Sequence, residues 1–294
     1  QIAFHDISYR FVTYWSGFAD EERRIWPMPR WGVHAIAPCN GWQMKSVFPL
    51  ACFQAISGGN IIGTVGNGRP IMSDIELLRR LRALDSCALS DAMDQLSLPP
   101  AVSGLLAITV KRRIAGRVIT VRLAEGVPPA AARPRHLCTA AIEAAEPGGV
   151  VVVEQRTGVD AAGWGGILSN AAKARGLSGV IIDGPARDVD EAAELDFPVY
   201  ARGATCRTAR GRVYEIETGG PVRMGDLTVD TGDYVLADSS GAVFVKADDL
   251  TRVIEAAEAI AAREAAMTQA VRAGQPVSEV MGAKYEHMLT GEGK

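Results

Sequence analysis

The sequence predicts an α/β protein, a single domain with a parallel β-α-β core, a further β-rich block and C-terminal helices. Residues 150–154 (VVVVE) and 179–183 (GVIID) are short, mostly apolar runs, which is typical of strands buried on both faces of a sheet. A helical segment, residues 166–175, lies between them and ends before Gly176, a residue suited to a left-handed helix end. The order strand, helix, strand predicts parallel strands joined by a right-handed crossover.

The other elements of this domain are predicted from local signals. Ser73 and Glu76 have the spacing of a capping box and precede an amphipathic run, so we expect a first helix at residues 74–84. Near alternation of β-branched residues indicates a strand at residues 116–123. Comparable patterns predict helices at 88–96, 134–146, 189–195, 248–273 and 277–289, and strands at 197–202, 214–217, 221–224, 227–230, 234–238 and 242–246.

The first 71 residues differ in composition from the rest of the chain. They hold 11 of the 18 aromatic residues but 10 of the 65 charged ones, show no helical or alternating period, and end in a Gly- and Asn-rich stretch typical of a loop. We therefore interpret residues 1–71 as an aromatic-rich extension, non-native or poorly ordered, that precedes the α/β domain at residues 72–294. The alternative is an aromatic arm that packs on a neighbouring subunit.

Charge, hydropathy and cysteine content exclude several classes of protein. With 31 basic and 34 acidic residues the formal net charge is −3, so the chain lacks the basic field of non-specific nucleic-acid binding. No apolar run approaches the roughly 20 residues of a membrane helix, so we expect no membrane partner. Five cysteines without a Cys-x-x-Cys spacing argue against a disulfide framework or a thiolate zinc site, and they suit a reducing cytoplasm.

Residues 163–191 contain the first candidate for a binding site, because ligand sites of α/β sheets form beyond the carboxyl ends of parallel strands. Gly163, Gly165 and Gly166 immediately precede a predicted helix in this stretch. Unpaired backbone N–H groups and the helix dipole favour an anion at such a turn, so a carboxylate or phosphate is expected there. The alternative is that these glycines only permit a tight turn between strand and helix.

Arg187 and Asp188 follow the second predicted strand of this stretch. A guanidinium group is always charged and can clamp an oxyanion at two points, and a carboxylate is a hard ligand for Mg²⁺ or Mn²⁺. The pair therefore indicates a site for an oxyanion and a divalent cation, although an isolated Arg-Asp pair can equally form a surface ion pair. His136 could line the site as an acid or base, or lie on a helix surface.

Several motifs occur together between residues 72 and 290. They are Gly165-Gly-Ile-Leu168, KARG (173–176), GVIIDG (179–184), RDVDE (187–191), FPVYARG (197–203) and GDYVLAD (232–238). In this combination the chain resembles the class II pyruvate aldolases that act on 4-hydroxy-4-methyl-2-oxoglutarate and 4-carboxy-4-hydroxy-2-oxoadipate. That family also includes RraA, the regulator of ribonuclease E activity A.

The resemblance implies a divalent-metal site, with Mg²⁺ or Mn²⁺, between the subunits of a homotrimer or homohexamer. Asp188 would bind the metal, Arg187 would hold a small 2-oxo acid and neutralise its enolate oxygen, and the backbone of Gly165, Gly166, Ile167 and Leu168 would receive the substrate carboxylate. The implied activity is a lyase that cleaves a 4-hydroxy-2-oxo acid to pyruvate or decarboxylates oxaloacetate. The alternative is a non-catalytic binding protein of the ribonuclease E regulator type.

The sequence departs from the family pattern at one position of this site. The family aldolases carry an acidic residue 21 positions before the arginine of the Arg-Asp pair, and here that position is Gly166. Asp160, Asp183 or an acid of a neighbouring subunit could take the place of the missing carboxylate.

Deletion of residues 1–71 is expected to leave fold and activity intact, because the extension lacks the periodic pattern of a packed element. The test compares thermal unfolding and turnover of the truncated and full-length proteins. A large fall in the melting temperature of the truncated form would show instead that the extension is a structural arm.

Overall fold

The computed structural model describes residues 64–65, 69–70, 73–129 and 135–282. Most of the predicted extension therefore lies outside the described residues, as do residues 130–134 and 283–294. Within the Gly- and Asn-rich stretch, where a loop was expected, the strands β1 (Thr64–Val65) and β2 (Arg69–Pro70) pair antiparallel.

The other elements of the described chain follow the predicted order, with one additional short strand, and helices and strands alternate from β4 to β7. The helices are α1 (Asp74–Ala83), α2 (Ser86–Gln95), α3 (Thr139–Ala144), α4 (Gly166–Ala174), α5 (Val189–Glu194), α6 (Leu250–Arg272) and α7 (Val277–Val280), with a 3-10 turn (Ala247–Asp249) before α6. The strands are β3 (Leu106–Ala107), β4 (Ile114–Glu125), β5 (Val150–Glu154), β6 (Gly179–Ala186), β7 (Val199–Ala204), β8 (Val213–Thr218), β9 (Val222–Met224), β10 (Leu227–Val229), β11 (Tyr234–Ala237) and β12 (Ala242–Val245).

These strands build one mixed sheet of eight strands and a separate pair, β9 with β10. The strand order is β12-β11-β4-β5-β6-β7-β3, and β8 also pairs with β4. The four strands β4, β5, β6 and β7 are parallel neighbours, whereas β3, β8, β11 and β12 join antiparallel. The predicted α/β fold, with its parallel core and its added β-rich block, is confirmed.

The central strand β5 begins with four consecutive valines, residues 150–153, because both of its faces are covered. Val151 and Val153 pack with Leu168 on the face where α3, α4 and α5 lie. Val150 and Val152 pack on the opposite face, against residues of β9 and β10. All four valines are fully buried, so an alternating polar pattern would place polar groups in one of these cores.

A third core joins the outer strands of the sheet to three helices. Leu81 of α1, Leu89 of α2 and Ile254 of α6 pack on residues of β11 and β12. The helix α6 is amphipathic, and its apolar positions recur at the spacing of one helix face. None of the helices in the described part of the chain is long and apolar enough to cross a membrane.

Two predicted helices differ from the structure at their ends. The helix expected at residues 134–146 is shorter, because Cys138 adopts a left-handed backbone conformation with φ of 65° and its N–H donates to Glu215 Oε2 at 2.6 Å. The last helix ends at Val280 rather than at residue 289, and residues 283–289 lie outside the described residues. The short strand β3 was not predicted, because two residues carry no readable alternation.

Asp238, directly after β11, ties the start of α2 to the sheet. Its carboxylate accepts the Ser86 N–H at 2.8 Å and the Ser86 hydroxyl at 2.6 Å, and the Ser240 N–H donates to it at 2.9 Å. Burial by itself raises the pKa of Asp238, but these hydrogen bonds and the Arg113 charge outweigh burial, so the pKa lies below its usual value. The ionised form therefore contributes to stability.

Replacement Asp238→Ala is expected to lower the free energy of unfolding by about 2 kcal/mol, since hydrogen bonds to a charged group contribute about 1.5–3 kcal/mol. Because the folded pKa is depressed, this contribution is present above the unfolded pKa of about 3.9 and is lost as the pH falls through the folded pKa. Urea unfolding at several pH values measures it, with the exposed Asp226→Ala as control. Equal effects of both variants at neutral pH would contradict the assignment.

Candidate functional site

The carboxyl end of β6 and the N-terminus of α4 lie side by side, as the sequence predicted for residues 163–191. The Arg187 N–H donates to the Trp164 carbonyl at 3.0 Å, and the Gly163 N–H donates to the Pro185 carbonyl at 2.9 Å. These two backbone hydrogen bonds fix the segment before α4 against the segment after β6. The glycine turn and the Arg-Asp pair therefore belong to one site.

Asp188 is the centre of this site. Its Oδ2 atom accepts the Gly166 N–H at 2.9 Å and the Arg187 Nε–H at 3.1 Å. The backbone of Asp188 is left-handed, with φ of 56°, a conformation that aspartate tolerates better than most residues. It is the N-cap residue of α5, and its carboxylate is directed at α4 instead of capping α5.

The carboxylate of Asp188 is kept ionised by its surroundings. Burial by itself raises its pKa, but the Gly166 N–H and the Arg187 guanidinium outweigh burial, so the pKa of Asp188 lies below its usual value. About a third of the side chain, 33%, stays exposed, so a solvated cation can reach it. An ionised, accessible carboxylate is the form that binds a divalent metal.

A cavity of about 190 Å³ opens beside Asp188. The residues to which the family resemblance gives a role all line it, namely Gly165, Gly166, Ile167, Leu168, Arg187 and Asp188, whereas Gly163 does not. His136 also lines the cavity, which favours the site-lining interpretation of this histidine over a helix surface. Its Nδ1 atom lies 3.1 Å from the Leu137 carbonyl oxygen.

Sequence reasoning missed the residues that the loop between β7 and β8 contributes. Thr208 and Arg210 line the same cavity, and Arg210 is exposed there with no side-chain partner among the described residues. No motif surrounds them, so only the fold of the loop reveals their position. Arg210 adds a second guanidinium group beside that of Arg187.

Trp164 supports the start of α4 from the protein interior. Its side chain is 2% exposed and stacks on Phe197, with ring centroids 6.4 Å apart. Its indole N–H donates to the Ser169 hydroxyl at 2.9 Å, which is within the first turns of α4. The helix N-terminus is therefore positioned by a rigid aromatic contact rather than by the glycines alone.

The two glycines of the site lie against acidic side chains. Gly165 has an extended backbone that any residue adopts, but a Cβ atom there would lie 2.9 Å from Asp188 Oδ2. At Gly166 the Glu191 carboxylate fills the space that a Cβ atom would need. Neither glycine has a positive φ, and a Cβ atom at either position would have to displace these acidic side chains.

The acids considered as substitutes for a carboxylate at position 166 are engaged elsewhere. Asp160 pairs with Arg207 at 3.3 Å on the surface. Asp183 is buried and accepts the Arg202 Nε–H and the Gly225 N–H, each at 2.7 Å. Neither lines the cavity around Asp188.

The donor set around Asp188 fits a small hard cation that keeps most of its waters. No group of three or more His, Cys, Asp or Glu side chains in the described ranges is arranged to hold a metal ion. Mg²⁺ and Mn²⁺ do not need such a cage, because Mg²⁺ usually binds proteins through one or two carboxylates and retains several waters. The carboxylate of Asp188, which is ionised and partly exposed, meets that requirement.

Comparisons with known proteins agree on one family. The sequence profile of the RraA-like (aldolase/RraA) family matches residues 86–244, more than half of the chain. Among curated relatives, DlpA of Legionella pneumophila is 23% identical over 69% of this chain and 33% of its own length. A proposed 4-hydroxy-4-methyl-2-oxoglutarate aldolase of Deinococcus radiodurans is 32% identical over 52% of this chain and 89% of its own length.

The solved structures include an RraA protein. RraAS2 of Streptomyces coelicolor, described as an unusual member of the RNase ES inhibitor RraA family, has a TM-score of 0.58 and 25% identity, over 65% of this chain and 95% of that one. Coverage of the curated relatives varies, since the chain spans only 33% of the length of DlpA and 56% of that of a Methanocaldococcus jannaschii relative.

Proposed function

The chain belongs to the RraA-like (aldolase/RraA) family, and from that premise we propose that it is a divalent-metal-dependent carbon-carbon lyase acting on a small 2-oxo acid. The proposed reactions are cleavage of a 4-hydroxy-2-oxo acid, of the 4-hydroxy-4-methyl-2-oxoglutarate type, to pyruvate and decarboxylation of oxaloacetate. The observation that carries the proposal is the convergence of Arg187, Asp188 and the N-terminus of α4 on one cavity.

The N-terminus of α4 supplies donors for the substrate carboxylate. The Gly166 N–H donates to the Asp188 carboxylate. The helical hydrogen bonds of α4 begin with the Ser169 N–H, which donates to the Gly165 carbonyl. The N–H groups of Ile167 and Leu168 lie between these two, at the cavity wall. Together with the helix dipole they favour a bound carboxylate.

Arg187 supplies the fixed positive charge for the oxygen atom that becomes an enolate. Its Nε–H is used by Asp188, and its two Nη groups make no hydrogen bond in the part of the chain that the structure describes. Arg187 lines the cavity, and its planar guanidinium group suits an oxyanion. Its donors are oriented before the reaction begins, which is the main source of electrostatic catalysis.

The remaining steps of the proposed reaction are bond changes within the substrate. A bound Mg²⁺ or Mn²⁺ ion would act as a Lewis acid on the 2-oxo acid. In the cleavage, the C3–C4 bond breaks, its electron pair passes to C3 and the C2 oxygen, and the 4-hydroxyl group gives its proton to water as it becomes a carbonyl. Water then returns a proton to C3 of the enolate, which gives pyruvate. Oxaloacetate loses CO₂ to give the same enolate.

A non-catalytic role is the second candidate, and one observation favours it. Position 166 lacks the acidic residue of the family aldolases, as the sequence comparison with their motif indicated. A binding protein of the RraA type would retain the fold and would bind without turnover. The two candidates differ in whether pyruvate is released from oxo acids in a metal-dependent way.

Asp188→Ala is expected to abolish metal-dependent turnover, and Arg187→Lys to reduce it. Lysine keeps the charge but loses the two-point geometry, and loss of one preorganised donor to an oxyanion costs about 2.7–4 kcal/mol, roughly a hundred- to a thousandfold in rate. The measurement is pyruvate release from oxaloacetate and from a 4-hydroxy-2-oxo acid, with Mg²⁺ or Mn²⁺ and with chelator.

The matched controls for these variants are Arg223→Lys and Asp226→Ala, two exposed positions outside the cavity. Circular dichroism confirms that each variant is folded. Near-normal turnover of both folded site variants would exclude this site. Wild-type protein that binds Mn²⁺ and pyruvate but turns over no 2-oxo acid would favour the binding protein instead.

A homotrimer or homohexamer is expected in solution, as the family resemblance implies for a site shared between subunits. In support, Ile167 is 85% exposed at the cavity wall, and such an apolar side chain beside a polar site suits a covering subunit. Light scattering measures the mass, with Ile167→Asp as the variant expected to dissociate the assembly. A monomer with full activity would contradict a shared site.

A further inference from the structure

We infer that a second cavity of this domain is a binding site for a phosphate group, free or carried by a small metabolite. The cavity, called here the arginine pocket, has a volume of about 470 Å³, and Arg82, Arg112 and Arg113 line it together with Gly148 and Ser178. Small-molecule sites in proteins typically have volumes of about 300–1,000 Å³, so the arginine pocket is large enough for a metabolite.

The arginine pocket lies at the opposite end of the sheet from the cavity beside Asp188. Ile114, the first residue of β4, lines the pocket, and so does Ser178, which directly precedes β6. Asp188 follows the other end of β6, and a strand rises about 3.3 Å per residue, so the eight residues of β6 separate the two cavities by roughly 25 Å. The inference therefore does not rest on the proposed lyase activity.

The charge of the arginine pocket is entirely positive. Three guanidinium groups line it, and no acidic side chain does so in the part of the chain that the structure describes, although the whole chain has a formal net charge of −3. Arginine stays protonated at any physiological pH. The pocket therefore suits an anion, and it offers no carboxylate to a metal ion, unlike the cavity beside Asp188.

Arg82 has donors that the protein does not use well. Its Nε atom lies 3.4 Å from the Ala115 carbonyl oxygen, and its Nη2 atom lies 3.5 Å from the Gly148 carbonyl oxygen. Both distances exceed the usual N–H···O range of about 2.7–3.2 Å, so capping of these carbonyls does not account for the guanidinium. Gly148 leaves room for it, since a Cβ atom at position 148 would lie 2.7 Å from Nη2.

The other two arginines have different roles. Arg112 is held in place, because its two Nη groups donate to the side chain and the carbonyl of Asp196, each at 2.7 Å. Arg113 is held only loosely, because its Nε atom lies 3.9 Å from Asp238 Oδ2 and its Nη groups make no hydrogen bond within the described ranges. Arg112 therefore contributes charge to the pocket, whereas Arg82 and Arg113 contribute free donors.

A phosphate group matches these donors better than a carboxylate does. At neutral pH a phosphate monoester carries a charge of about −1.5 to −2 and three strong acceptor oxygens, and a guanidinium group binds two of these oxygens at once. A carboxylate has one charge and two oxygens, so it would leave one of the two arginines without a partner. The rest of the lining is small or aliphatic, which favours recognition through the phosphate group itself.

Isothermal titration calorimetry on the full-length protein in metal-free buffer tests the inference. The probes are glycerol 3-phosphate, inorganic phosphate and succinate. Arg82→Gln and Arg113→Gln are each expected to weaken binding of glycerol 3-phosphate by about 10- to 100-fold, because each loses hydrogen bonds to a charged group. The control is Arg79→Gln, an exposed arginine of the same helix as Arg82 that lies outside the pocket.

A further variant separates the arginine pocket from the proposed substrate site, where an anion can also bind. Binding that persists in Arg187→Ala but is weakened in Arg82→Gln and Arg113→Gln would support the inference. The opposite result, loss in Arg187→Ala with no change in the other two variants, would overturn it. Circular dichroism verifies the fold of each variant, and the two pocket variants lie on different segments, so either one that folds decides the outcome.

The three probes distinguish the ligands. Tighter binding of glycerol 3-phosphate than of inorganic phosphate would identify a phosphorylated metabolite as the ligand, and equal binding would identify the free ion. Wild-type protein that binds neither would overturn the inference. Succinate binding as tight as that of the phosphate probes, or equal weakening by the control Arg79→Gln, would also overturn it, because the effect would then reflect general positive charge.

Discussion

The hydrogen bond from the Gly166 N–H to the Asp188 carboxylate is the contact on which the site depends. It joins the start of α4 to the residue after β6, two places that are 22 residues apart in sequence. The left-handed backbone of Asp188 costs about 1–2 kcal/mol relative to an ordinary helical residue. The partial positive charge of the α4 N-terminus and the Arg187 guanidinium offset that cost by stabilising the carboxylate.

This contact gives Arg187 and the α4 backbone complementary roles. Asp188 accepts the Gly166 N–H and the Arg187 Nε–H, and the cavity beside it is lined by Arg187 and by the first residues of α4. Anionic and cationic groups therefore alternate over a short distance, an arrangement suited to a substrate carboxylate beside a metal ion. Trp164 is buried beneath the start of α4, and its hydrogen bond to Ser169 holds the helix N-terminus in position.

The sequence predicted the parts of the molecule that follow from local patterns. The buried runs 150–154 and 179–183 and the helix between them could be predicted because both faces of the sheet are covered. The place of Arg187 and Asp188 after a strand made them candidates, whereas the roles of Ile167 and Leu168 came from the family resemblance. Cys138 could not be predicted in a left-handed conformation, since its partner Glu215 is 77 residues away. The proximity of Glu191 to Gly166 likewise depends on how α5 packs beside α4, which no spacing in the sequence encodes.

The twelve-residue strand β4 affects how the domain assembles. It pairs parallel with β5 and antiparallel with both β11 and β8, so residues such as Arg117 and Tyr234 meet only after more than a hundred intervening residues are in place. Closing such long loops is entropically costly before any contact compensates, and topologies rich in distant pairings fold slowly. The parallel core and the β-rich block share this strand, which couples them into one cooperative folding unit.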